Sequence, residues 1–240
     1  MRASDLQRDL RQLADPKRAE VSRWFFKTGP GEYAEGDQFA GVTVPQQRLL
    51  ARRYRTMPRG EARKLLRSRI HEERAIALMI LVWQFQRGSE RDKREIFALY
   101  LRHTRCINNW DLVDCSAPHI VGEYLATRSR ACLLRLARSK LLWERRIAMM
   151  ATQYFIRHGE FDDALRIARL LLRDEHDLIH KAAGWMLREV GNRDRAVEER
   201  FLKQHAAIMP RTMLRYAIEK FPEPLRQRYL KMGRPTAAPR

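Results

Sequence analysis

Apolar residues recur at spacings of three and four along most of the chain, and no alternation of period two lasts long enough to make a strand. The pattern predicts an all-α protein. Residues 5–14 read as a first amphipathic helix, and a second follows Pro16, carrying Val21, Trp24 and Phe25 towards Lys27. Residues 28–37 are rich in glycine but lack the Gly-Lys-Ser/Thr ending of a phosphate-binding loop, so they read as a connection. From Pro45 onward the helical spacing is nearly uninterrupted.

An internal repeat emerges when residues 71–78, 142–149 and 179–186 are set side by side. Aligning Arg74, Arg146 and Lys181 gives steps of 72 (146 − 74) and 35 (181 − 146), the first being two periods of about 36. The segment around Trp110 fills the vacant register, and a weaker copy begins at Met209. Second helices are expected at 93–101, 130–138, 161–172 and 195–204. Two helices per period point to a curved α-solenoid of HEAT-like repeats, with equivalent helices lining a concave basic groove. The expected organisation is a single HEAT-like repeat domain over 1–230, with N-terminal helices and the glycine-rich loop in 1–44, repeats in 45–230, and a disordered tail at 231–240.

Charge narrows the partners. Lys and Arg number 48 against 29 acidic residues, a net +19, and such an excess normally accompanies a polyanion. Nucleic acid is the first choice and an anionic membrane surface the second. Cys106, Cys115 and Cys132 have no paired spacing, which argues against a disulfide framework or a cysteine-built zinc site. The N-terminus turns polar at once, unlike a signal peptide, and the apolar run 76–83 is too short to span a bilayer. The expectation is a cytoplasmic monomer, nucleoid-associated if the cell is prokaryotic, with no cofactor, no metal and no membrane partner.

Candidate chemistry concentrates at residues 107–114. Asn108 and Asn109 stand where N-caps stand, and Trp110 and Asp114, four apart, share a helix face. Asp111 sits in the first turn, where a carboxylate complements the helix dipole, and reads as a capping charge. Asp114 reads either as a functional carboxylate beside an aromatic or as a structural aspartate. On equivalent helices lie Trp143 and Arg146, then Lys181, Trp185 and Arg188, then Arg211 and Arg215. Aromatics beside cations suit phosphates and bases, although tryptophan in a helical repeat usually packs, as expected of Trp83. His176 and His180 have the spacing of a helical metal pair but no evident third ligand. No serine-nucleophile or deaminase motif is present.

The motifs at 109–114, 142–146, 180–189 and 209–211 resemble those of the AlkD-type DNA alkylation-repair glycosylases, in the same order, over about residues 21–230. The resemblance implies a HEAT-like fold holding duplex DNA and excision of cationic N-alkylated purines such as 3-methyladenine and 7-methylguanine, without flipping the base into a pocket. It implies that Asp114 is the catalytic aspartate, that Trp110 and Trp185 flank the lesion's deoxyribose, and that Arg146 meets the DNA backbone. The family's prototype has a tyrosine where this chain has Trp24; the ring is kept and the hydroxyl lost. Lys181, Arg188, Arg211, Trp24 and Trp143 complete the expected DNA-binding set. The competing expectation is a non-catalytic HEAT-repeat protein that binds damaged or branched DNA.

Overall fold

A computed structural model describes residues 1–232. The described chain is all-helical, apart from an isolated bridge between Gln38 and Ile70. The described residues form two compact units, one from Met1 to Tyr124 and one from Leu125 onward.

The first unit holds α1 (Ala3–Gln12), α2 (Pro16–Phe25), α3 (Val44–Arg53), α4 (Arg59–Leu66), α5 (His71–Arg87), α6 (Glu90–Arg102) and α7 (Trp110–Asp114). Its centre is α5, which packs against α3, α4, α6 and α7. Ile76, Leu78, Ile80, Leu81 and Phe85 are fully buried there, so this helix is apolar nearly all round. Trp83, expected in the core, is half-buried, with the guanidinium groups of Arg87 and Arg55 at 4.8 and 5.4 Å from its ring. Cations over the ring, and not further apolar packing, account for part of its cover.

The second unit holds α8 (Ala131–Ala137), α9 (Leu142–Arg157), α10 (Asp162–Leu170), α11 (Asp177–Gly191), α12 (Arg195–His205), α13 (Arg211–Ala217) and α14 (Glu223–Lys231). Here α9, α11 and α13 pack in succession, with α8, α10 and α12 against them, the paired arrangement of helical repeats. Gly184 sets the closest approach: a Cβ there would run into the Met213 carbonyl oxygen, so α11 and α13 meet through bare backbone. Of the expected tail, Lys231 ends α14, and residues 233–240 lie outside the described residues.

The turns that start the repeats correct the alignment by one residue. Ser68 Oγ accepts the Ile70 N–H, Ser139 Oγ the Leu141 N–H, and Asp174 Oδ1 the His176 N–H. Ile70, Leu141 and His176 are the N-caps of α5, α9 and α11. The register is therefore Arg74, Arg145 and His180, with steps of 71 (145 − 74) and 35 (180 − 145). Each of these side chains bonds the carbonyl six residues before it, at 2.9, 3.0 and 2.5 Å.

Candidate functional site

The Trp110 segment is shorter than its pattern suggests. Asn109 takes the N-cap position with extended backbone, and its Oδ1 accepts the Trp110 N–H at 2.8 Å. The α-helical turn then ends at Asp114. Ser116 turns its hydroxyl back onto the Leu112 carbonyl at 2.5 Å, and Pro118, which has no N–H to donate, opens a five-residue π-helix, Pro118–Gly122. Trp110 and Asp114 are thus the first and last residues of one short turn, and both are half-buried.

The Trp110 ring rests on aromatics from the end of α2. Phe26 stacks on it at 5.5 Å between centroids and Phe25 meets it edge-on at 6.0 Å. Trp24, on the same helix, is 74% exposed, with Lys27 Nζ 5.2 Å from its ring. Phe26 in turn stacks on Phe39 at 5.1 Å. Residues 28–39 thus bring a ring to the site as well as connecting helices.

Asp111 is more than a capping charge. Its Oδ2 lies 2.8 Å from His71 Nε2, at the start of α5. His71 Nδ1 lies 3.4 Å from Asp37 Oδ2, which also accepts Arg74 Nη2 at 2.7 Å, while Asn108 Nδ2 donates to Asp37 Oδ1 at 3.1 Å. Burial opposes the charge on Asp37, but the bonds from His71, Arg74 and Asn108 overcome it and hold the carboxyl below its ordinary range. Burial likewise works against the His71 cation, yet the bonds to Asp111 and Asp37 outweigh it and raise the imidazole to about 9. The adjoining Glu72 carboxylate accepts the N–H groups of Ala40, Gly41 and Val42 at 2.9, 2.8 and 3.3 Å, fixing the loop that carries Asp37 and Phe39. Motif spacing does not reveal this cluster. Its signal in the sequence is four consecutive charged or polar residues, 71–74, at the start of a strongly apolar helix.

In the second unit, Trp185 is half-buried and its Nε1 donates to Glu189 Oε1 at 3.1 Å. Lys181 Nζ lies 2.8 Å from Asp177, one turn earlier on α11, and Arg188 pairs with Glu219. Arg146, 4% exposed, donates to the Leu178 carbonyl at 2.6 Å, and Trp143 is 5% exposed. Arg211 donates to the carbonyls of Leu230 and Met232 at 2.7 and 3.1 Å, closing the C-terminal end of α14. His176 caps α11 by accepting the Leu178 N–H, and His180 bonds the Asp174 carbonyl, so their spacing serves the turn. Among the described residues no group of three or more His, Cys, Asp or Glu is arranged to hold a metal ion, and no helix is long and apolar enough to cross a membrane.

Comparison with known proteins gives a family match and structural matches. The family model described as DNA alkylation repair enzyme covers residues 6–221. A solved structure from Enterococcus faecalis, named as a predicted DNA alkylation repair enzyme, superposes with a TM-score of 0.66 over 87% of this chain and 96% of its own, at 18% identity. That likeness is one of fold. No curated protein matches.

Proposed function

The chain belongs to the DNA alkylation repair enzyme family, and from that premise we propose that it is an AlkD-type DNA glycosylase. Its substrate would be duplex DNA carrying 3-methyladenine, 7-methylguanine or a similar cationic N-alkylated purine, whose N-glycosidic bond it hydrolyses without flipping the base. The observation that carries the reading is the turn Trp110–Asp114, with a ring at one end and a carboxylate at the other.

A purine alkylated at N3 or N7 is already positive and leaves as a neutral base, so its departure needs no general acid. The charge moves to the sugar, which becomes oxocarbenium-like as in glycoside hydrolysis. In the proposed mechanism the Asp114 carboxylate, held near C1′, stabilises that cation and orients the attacking water. The face of Trp110 favours the same positive charge, and the family resemblance proposes the same role for Trp185. Lys181, Arg188, Arg211 and Trp24 are proposed as DNA contacts of their units, whereas Arg146 and Trp143 are buried. A metal plays no part in this scheme.

The reading is tested by following free base from two duplexes, one carrying 7-methylguanine and one carrying uracil. Release of 7-methylguanine with uracil untouched is expected, because a neutral base is a poor leaving group here. Tight duplex binding without release of either would leave the protein a non-catalytic reader of damaged DNA.

A further inference from the structure

The cluster behind Trp110 has no part in the chemistry above, and the way it is built assigns it one. Both His71 ring nitrogens face carboxylate oxygens, which only accept hydrogen bonds when ionised, so both nitrogens carry hydrogen and the ring is an imidazolium. The charged groups around it are Asp111 from α7, Asp37 from the loop and Arg74 from α5, so two cations balance two carboxylates. Two neutral aromatics lie against the ring, Phe39 at 4.6 Å and Phe26 at 4.9 Å, and these two stack on each other at 5.1 Å. Phe26 is the ring that stacks on Trp110.

We propose that His71 is a positioning residue: clamped between Asp37 and Asp111, and backed onto Phe26, it holds the Trp110–Asp114 turn in the orientation that excision needs. The proposal rests on the glycosylase reading of that turn. A five-residue helix cannot hold itself, since its few internal bonds do not repay nucleation. Its polar surroundings are incompletely bonded. Asn108 Oδ1, Asn109 Nδ2 and Asp111 Oδ1 are buried with no hydrogen-bond partner, a cost that the His71 and Asn108 bonds must offset. The raised His71 pKa has a consequence for stability. It lies above the ordinary value of about 6.5 for an unfolded chain, so the clamp contributes fully below that value and is lost as pH rises through about 9.

The test uses the full chain with the variants His71→Gln and Asp111→Asn. In the protein without DNA, nitrogen-15 resonances of His71 should show both ring nitrogens protonated near neutral pH and should titrate near 9. Trp110 fluorescence, assigned with Trp110→Phe, should change in the same step. A singly protonated ring near neutral pH overturns the clamp. In single-turnover release of 7-methylguanine, His71→Gln should be slower by about tenfold to a hundredfold at unchanged duplex affinity, the scale set by a small misplacement of reacting groups. It should also lose the decline in rate expected of the wild type as pH passes about 9. A folded His71→Gln with the wild-type rate and pH profile overturns the positioning role. If His71→Gln does not fold, Asp111→Asn makes the same comparison from the more exposed end, where the side chain is 29% accessible. Should the wild type release no base at all, the glycosylase reading fails, while the resonance and fluorescence measurements still decide whether the clamp exists.

Discussion

Arg145 Nε lies 2.5 Å from Asp174 Oδ2, joining α9 to the turn that begins α11. The same guanidinium caps the carbonyls of Ser139 and Lys140, as Arg74 caps those of Ser68 and Arg69 while pairing with Asp37. One arginine therefore ties three segments together twice in the chain. Removing it strands a carboxylate whose side chain is 5% exposed. Arg145→Ala should cost about 3–5 kcal/mol of unfolding free energy, read from urea titrations. A loss below about 1 kcal/mol would mean that water takes over the role of the arginine.

Glu198 predicts a second, independent pH dependence. Its side chain lies against Gly191, it is 1% exposed, and its Oε1 has no hydrogen-bond partner. Burial pushes its pKa up to about 8. The folded state then holds a proton that the unfolded state has released, so stability falls as pH rises from the ordinary carboxylate range through about 8. Glu198→Gln should flatten that fall, and the difference between the two proteins in urea midpoint should grow from mildly acidic to mildly alkaline pH. A constant difference would show that Glu198 is ionised throughout.

Phosphate binding can be separated from packing by salt. Replacing Lys181 or Arg188 with alanine should reduce the slope of log K against log salt by about 0.9 for each phosphate that is no longer neutralised. Arg146, buried and bonded to the Leu178 carbonyl, offers a contrast. Arg146→Gln with an unchanged slope and a lower urea midpoint would assign it to the core of its unit and strike it from the DNA-binding set.

Much of this is legible in the sequence because helical periodicity is a local property. The all-α class, the helix pairs and the span of α12 follow from apolar spacing within a dozen residues. The repeat register is ambiguous by one because Arg145 and Arg146 are adjacent, and only the turn hydrogen bonds tell which of them matches Arg74. The brevity of the Trp110 turn depends on Ser116 folding back and on Pro118, neither of which interrupts the apolar pattern. The Asp37–His71–Asp111 cluster joins residues 34 and 40 apart, and spacing in sequence carries no information about such pairs. Trp185 and Lys181 are neighbours on one helix and so stand out in the sequence, whereas the attachment of Arg211 to the end of α14 exists only in the folded chain.

The central claim is that the Asp114 carboxylate acts on the sugar, and Asp114→Asn tests it most directly. The variant keeps the shape of the side chain and removes its charge. Single-turnover release of 7-methylguanine from a duplex should fall by about a hundredfold or more, while affinity for the same duplex is preserved. Release at the wild-type rate by a protein without that carboxylate would contradict the mechanism.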